Sequence, residues 1–78
     1  MKEKQEIYQF TLILKDVDEN TSNLEDSLFK AGCSDALINF RNETVYLDFN
    51  RTANSREEAI RSAIQDVASG GIVATQEI

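Results

Sequence analysis

Apolar residues along this 78-residue chain change their spacing from every second position to every third or fourth position, and back again. The first spacing is typical of strands and the second of helices, because the side chains of a strand alternate between two faces whereas a helix returns to one face every 3.6 residues. Turn-forming residues stand at each change. The order of spacings predicts strand, helix, strand, strand, helix, strand, and this order admits few folds.

Alternation is clearest in residues 7–14, which form the first predicted strand. Its core face carries Tyr8, Phe10, Leu12 and Leu14, and its other face carries Ile7, Gln9, Thr11 and Ile13. Residues 36–40 alternate again, and a third run places Val45, Leu47 and Phe49 on one face. Between them, Arg41, Asn42 and Glu43 predict a hairpin whose turn type the sequence leaves open. Residues 72–78 are β-prone and predict a return to an edge of the sheet.

Two capping boxes of the S-x-x-E type, Ser22 with Glu25 and Ser55 with Glu58, predict where the helices begin. Gly32 suits the left-handed position that ends the first helix, and Gly70 with Gly71 ends the second. Buried positions are expected at Leu24, Leu28 and Ala31 in the first helix, and at Ile60, Ala63, Ile64 and Val67 in the second.

This element order predicts an α+β fold of the ferredoxin-like split βαβ type, a sandwich with two helices on one face of a four-stranded antiparallel sheet. The first and third strands are expected at the centre and the other two at the edges. Residues 1–78 are predicted to form a single domain with a flexible tail at residues 1–6. The expected core comprises Phe10, Leu12, Leu28, Leu47, Phe49, Ile60 and Ile64.

The chain carries 8 basic and 14 acidic residues, for a net charge of −6. This charge repels a phosphate backbone, so direct binding of nucleic acid is not expected. We find no apolar run of membrane-spanning length and no signal peptide, which predicts no membrane association. The single cysteine, Cys33, forms no internal disulfide and agrees with a cytoplasmic location.

Candidate catalytic and metal sites are weak. Asp16, Asp18 and Asn20 resemble the start of a calcium loop, but Thr21 and Ser27 stand where that loop needs glycine and glutamate. The chain has no histidine, so Cys33 lacks its usual activating base. The carboxylates of Asp35 and Asp48 are explained as solvated surface groups. We therefore predict no enzyme activity, no catalytic or metal-binding residue and no cofactor.

The sheet face opposite the helices is the remaining candidate site. RNA-binding domains of this plan stack bases on central aromatic residues, but here Tyr46 is the one such residue, and no basic residue is expected beside it. Apolar side chains on an exposed face often mark a protein contact. The candidate interaction face comprises Ile7, Gln9, Thr11, Ile13, Leu37 and Tyr46.

Four segments carry a family resemblance: F-T-L-I-L at residues 10–14, L-F-K-A-G-C-S-D-A at 28–36, V-Y-L-D-F at 45–49 and S-R-E-E-A-I-R-S-A-I-Q-D-V at 55–67. With them the chain resembles the amino-terminal domain of a family of small, mostly uncharacterised bacterial proteins. In many members a helix-turn-helix follows, and these are labelled DNA-binding regulators. The resemblance implies the fold and a regulatory context, but the sequence ends at Ile78, before any such segment, so no DNA-binding residue is carried over.

Three classes of function remain open. The favoured one is a non-catalytic protein-interaction or dimerisation domain of a bacterial transcriptional regulator, with a protein partner or a homodimer. A domain that senses a small molecule is the alternative, and it requires a cleft between the first strand and the first helix. An enzyme that uses carboxylates alone, at Asp35 or Asp48, is the third class, and a stand-alone acidic antagonist protein is a further alternative.

Overall fold

The computed structural model describes residues 5–18 and 20–76. Six elements follow one another in the predicted order. They are β1 (Glu6–Lys15), α1 (Leu24–Lys30), β2 (Ala36–Arg41), β3 (Thr44–Ala53), α2 (Arg56–Ser69) and β4 (Val73–Gln76). Because β1 begins at Glu6, the predicted flexible tail shares that residue with a strand, and its residues 1–4 lie outside the described residues.

The four strands form one antiparallel sheet in the order β2-β3-β1-β4. The first and third strands are therefore central, as predicted, and pair along nearly their whole length from Glu6 opposite Ala53 to Leu14 opposite Val45. The fold is α+β, with an open antiparallel sheet and two helices.

A single hydrophobic core joins one face of the sheet to both helices. Leu12 and Leu47 are opposite one another on the central strands and are fully buried, while the rings of Phe10 and Phe49 stack at 5.2 Å. Leu24 and Leu28 of α1 and Ala59, Ala63 and Val67 of α2 belong to the same cluster. Both helices therefore pack against the face that the alternation predicted to be buried.

The predicted stripe of α2 is rotated by about one residue in the structure. Ala59, Ala63 and Val67 are buried, whereas Ile60 and Ile64 are only half-buried and flank the core. Small side chains under the helix axis let α2 lie close to the sheet, and the larger isoleucines cover the side of the contact. The prediction of Ile60 and Ile64 as full core residues is wrong to this extent.

The two capping boxes have different outcomes. The hydroxyl of Ser55 accepts a hydrogen bond from the backbone N–H of Glu58 at 3.1 Å, as predicted. The box at Ser22 is not formed: α1 begins after Asn23, whose φ of 58° is left-handed and whose side chain makes no capping bond. A capping side chain needs an extended backbone at that position, and the left-handed turn at Asn23 moves the helix start one residue along.

Both helices end in the Schellman motif, with a glycine in the left-handed region. Gly32 has φ of 101°, and the N–H of Cys33 bonds to the carbonyl of Leu28 at 3.0 Å. Gly71 has φ of 83°, and the N–H of Ile72 bonds to the carbonyl of Val67 at 3.3 Å. The residues that these bonds join, Cys33 with Leu28 and Ile72 with Val67, are all buried, so each helix end is attached to the core.

The hairpin between β2 and β3 closes through a two-residue turn at Asn42 and Glu43. Their φ angles, 49° and 67°, are both positive, which is the pattern of a type I′ turn. The turn type that the sequence left open is thus decided by the register, in which Arg41 pairs with Thr44.

Candidate interaction surface

One face of the sheet is covered by no element in residues 5–18 and 20–76, and we call it the open face. The alternation of β1 places Ile7, Gln9, Thr11 and Ile13 on it, and the alternation of the hairpin adds Leu37 and Tyr46. All six residues predicted to form an interaction face therefore share it. Ile7 and Leu37 are each 68% exposed, whereas Ile13 and Tyr46 are half-buried.

Val73 is a further exposed apolar residue of the open face, and it was missed in the sequence. It is 59% exposed, while Ala74 beside it is buried in the core. The consecutive apolar residues Ile72 and Val73 hid the alternation of this short strand. In the structure Val73 lies opposite Lys15 of β1, and this pairing places Val73 on the open face.

A polar cluster occupies the centre of the open face. One carboxylate oxygen of Asp48 accepts a hydrogen bond from the hydroxyl of Thr11 at 2.6 Å, and the other accepts one from the amide of Asn39. These residues belong to three neighbouring strands. Asp48 is thus half-buried and held between its neighbours instead of being an isolated solvated group, so it is poorly placed to accept a proton from a substrate.

The absence of a basic residue beside Tyr46 is a prediction that the structure contradicts. The guanidinium of Arg41 lies over the Tyr46 ring, 4.0 Å from its centroid. Arg41 pairs with Thr44 inside the ladder instead of belonging to the turn, so its side chain reaches diagonally to Tyr46. In the other ladder of β3, with β1, Tyr46 lies opposite Ile13.

The charge of the open face differs from that of the whole chain. Its strand positions carry Lys15, Arg41 and Asp48, a mixture of both signs, although the chain has a net charge of −6. The exposed acidic residues lie mainly elsewhere, including Glu25 and Asp26 on α1 and Glu57 and Glu58 on α2. The open face is therefore a mixed apolar and polar surface on an otherwise acidic domain.

A second cluster lies on the helix side, around Arg51 at the end of β3. The guanidinium donates two hydrogen bonds to Asp35, at 2.8 and 3.0 Å, one to Asp66 at 2.9 Å and one to Ser62 at 3.1 Å. It also donates to the carbonyl of Gly32 at 3.1 Å and lies 5.1 Å from the centroid of the Phe49 ring. The Arg51 cluster thus connects the end of α1, the following loop, β3 and α2.

The electrostatics of the Arg51 cluster favour a structural clamp. Hydrogen bonding to Asp35 raises the pKa of Arg51 above its ordinary value, and this outweighs the lowering by burial. The Arg51 side chain is only 11% exposed, and its charge is neutralised from two sides. Arg51 was missed in the sequence, yet a signal existed: it occupies the core-facing parity of Val45, Leu47 and Phe49, where a charged residue needs a partner.

Cys33 is buried beside this cluster. Burial raises the pKa of its thiol, and the carboxylate of Asp66 raises it further, while Arg51 opposes this effect. The thiol form is therefore favoured, which is the opposite of what a nucleophilic cysteine needs.

The acidic loop that resembled the start of a calcium site forms local hydrogen bonds in the structure. The carboxylate of Asp18 accepts a hydrogen bond from the N–H of Asn20 at 2.8 Å, and the hydroxyl of Thr21 accepts one from the N–H of Asp18. Asp35 belongs to the Arg51 cluster. Among residues 5–18 and 20–76, no group of three acidic or cysteine side chains comes together in a way that could hold a metal ion.

A groove runs beside α1, but not where the small-molecule alternative requires it. Its lining includes Leu24 and Phe29 of α1 and Phe40 of β2, and no residue of β1 contributes. Phe29 is 68% exposed and Phe40 is 45% exposed, so the groove has an apolar wall. It lies along the β2 edge of the sheet.

The chain matches no protein-family model, no curated protein and no solved structure. The resemblance to bacterial amino-terminal domains therefore remains an expectation from the sequence. Within the described part of the chain, neither helix has the length and apolar character that crossing a membrane would require.

Proposed function

We propose that this chain is a non-catalytic protein-interaction domain that receives a protein partner on its open face. The observation that carries the proposal is the exposure of Ile7, Leu37 and Val73 at separate positions of one sheet face that no described element covers, with the half-buried Ile13 and Tyr46 between them. Apolar surface of this kind on a small soluble domain often marks a contact with another protein.

The polar groups of the open face support the same function. The hydrogen-bonded Asp48 and the stacked pair of Arg41 and Tyr46 are held in fixed positions, so little side-chain freedom is lost when a partner binds. Aromatic and arginine side chains are also the residues most often found at the energetic centre of protein interfaces.

We further infer that the domain follows the ferredoxin-like plan and acts in the cytoplasm as part of a bacterial regulator. The strand order, with every neighbouring pair antiparallel, supports the plan. The regulatory context rests on the sequence resemblance alone, and it is tested by identification of the partner.

Site-specific photo-cross-linking tests the proposed function. A photoreactive residue replaces Gln9 on the open face or, as the matched control, the equally polar and exposed Gln65 on α2. In cells that produce the protein naturally, the Gln9 position should give a discrete adduct with a second protein, and the Gln65 position should not. Equal adducts from both positions, or none from Gln9, would contradict the proposal.

A charge-introducing variant completes the test. Ile7→Lys places an ammonium on the open face beside Gln9, at a side chain that is 68% exposed and therefore contributes little to folding. The variant should keep the melting temperature of the parent and lose the Gln9 adduct at least tenfold. Retention of the adduct at full yield would show that the partner binds elsewhere.

A further inference from the structure

The edge formed by β2 stands out among the surfaces of the molecule. Five large apolar side chains are exposed in the described part of the chain, and three of them lie at this edge: Phe29, Leu37 and Phe40. Leu37 lies on the open face, whereas Phe29 and Phe40 line the groove on the helix side. Both sides of the same strand edge are therefore apolar.

The backbone of β2 offers unpaired groups along this edge. The N–H of Asn50 bonds to the carbonyl of Asp35 at 3.1 Å, which makes these two residues a hydrogen-bonded pair in the ladder with β3. Hydrogen-bonded and non-hydrogen-bonded pairs alternate along an antiparallel ladder, so the backbone N–H and C=O groups of Leu37, Asn39 and Arg41 also bond to β3. The N–H and C=O groups of Ile38 and Phe40, and the C=O of Ala36, consequently point away from the sheet.

Edge strands of soluble proteins usually carry features that prevent pairing, such as a charge, a proline or a bulge. Residues 36–40 of β2, A-L-I-N-F, contain no charge and no proline, and the one charged residue of the strand is Arg41 at its end. The opposite edge differs within the described residues, where β4 spans the four residues Val73–Gln76. The β2 edge is therefore the better template for another strand.

We propose that two copies of this chain pair through β2, antiparallel and about a two-fold axis at Ile38, so that their sheets become continuous. In this register Ile38 lies opposite Ile38 of the second copy, and Phe40 lies opposite Ala36. The N–H groups of Ile38 and Phe40 donate to the C=O groups of Ile38 and Ala36 of the other copy, and the C=O of Phe40 is the one outward group left without a donor. The N–H of Ala36 needs no new partner, since it already bonds to the carbonyl of Cys33 at 3.2 Å.

The charges at the ends of β2 do not oppose a second copy as the occupant. The same register places Arg41 opposite Asp35 of the second copy, residues of unlike charge, although each Asp35 carboxylate is held by Arg51 of its own chain. No like charges oppose one another between them, although the two chains carry a net charge of −6 each. On the helix side, the exposed rings of Phe29 and Phe40 line the groove next to the axis and are positioned to be covered there. This interface shares Leu37 with the open face, and the two proposals are separated by the disulfide test of the β2 register and by the Gln9 adduct.

The oligomeric state and a matched pair of variants test the proposal. Sedimentation equilibrium of the full chain should give twice the monomer mass of 8.8 kDa at high concentration. Leu37→Lys should weaken association at least tenfold, whereas Ile7→Lys, at the same 68% exposure but on β1, should leave it unchanged. A chain that stays monomeric at millimolar concentration, or a dimer that Ile7→Lys breaks and Leu37→Lys does not, would overturn it.

The register has its own test. In a hydrogen-bonded antiparallel pair the two Cα atoms are about 5.5 Å apart, which lies within the range that a disulfide spans. Ile38→Cys should therefore form an intermolecular disulfide between the two substituted positions under mild oxidation, assigned by peptide mapping, and the control Val73→Cys on β4 should not. Cross-linking through Val73→Cys alone would place the interface at the other edge and refute the pairing through β2. The partner of the open face is identified separately, through the Gln9 adduct.

Discussion

Replacing Arg51 by methionine tests whether the Arg51 cluster holds the domain together. Methionine keeps much of the unbranched side chain that packs near Phe49, but it removes every hydrogen bond to Asp35, Asp66, Ser62 and the carbonyl of Gly32. Two carboxylates then remain next to each other without their cation. We expect Arg51→Met to be among the most destabilising single changes outside the apolar core.

The magnitude follows from how far the cluster is buried. Breaking a fully buried ion pair costs about 3–5 kcal/mol, and breaking an exposed one costs about 0.2–1 kcal/mol. The Arg51 side chain is 11% exposed, but Asp35 and Asp66 are 32% and 38% exposed and regain part of their hydration. We therefore expect a loss of about 2–3 kcal/mol, or roughly 10–20 °C in melting temperature for a domain of this size.

Urea unfolding followed by far-ultraviolet circular dichroism measures this loss, at one low protein concentration so that self-association does not contribute. The control is Arg61→Met, because Arg61 is 65% exposed and its contact with Glu57 is long, at 3.9 Å. Arg51→Lys keeps the charge without the planar fork and should recover less than half of the loss. If Arg51→Met unfolds within about 0.5 kcal/mol of the parent, the clamp contributes nothing and the reasoning is refuted.

Three further predictions concern local features of the chain. Ser55→Ala should cost about 1 kcal/mol in unfolding free energy because it removes a formed cap, whereas Ser22→Ala should cost less than about 0.5 kcal/mol; equal losses would show that both caps form. Glu43→Gly should stabilise the hairpin by about 1 kcal/mol, since glycine adopts the φ of 67° without strain, and a lower melting temperature would count against the type I′ turn. Cys33 should react with a thiol reagent at least tenfold more slowly in the folded protein than in urea. Burial raises the pKa of Cys33 in the folded state. The thiol therefore contributes stability at pH values below its ordinary pKa, and this contribution is lost as the pH rises through the folded-state pKa. Cys33→Ala should remove this loss of stability at alkaline pH.

Local signals in the sequence predicted the features that local physics determines. Alternation placed Leu12 and Leu47 in the core and Ile7 and Leu37 on the open face, because the side-chain period of a strand is two wherever the strand forms. The ends of both helices were also predictable, since few residues other than glycine tolerate the backbone conformation at Gly32. The central positions of β1 and β3 were predicted from the order of the elements, and the apolar content of these strands agrees with them.

Features that depend on distant contacts were not predictable in the same way. The rotation of α2 depends on how closely the helix can approach the sheet. The sequence pattern predicted burial of the large Ile60 and Ile64, whereas the structure buries the small Ala59. In the Arg51 cluster, Arg51 contacts Asp66, which is 15 positions away in the sequence, and Asp35, which is 16 positions away. Its one local signal, a charged residue at core-facing parity, indicates that a partner is required but does not identify the partner.

The two faces of the sheet deal with polar groups differently, and this difference bears on function. On the helix side, the positive charge of Arg51 is neutralised by Asp35 and Asp66 of the same chain, so no partner is needed to neutralise it. On the open face, Asp48 is likewise satisfied by its neighbours, and what remains exposed there is apolar surface. At the β2 edge the unsatisfied groups are those of the backbone. Apolar contact on the open face and strand pairing at the edge are therefore two kinds of recognition that the described residues leave available, and pairing two copies through β2 would join two open faces into one larger surface for a partner.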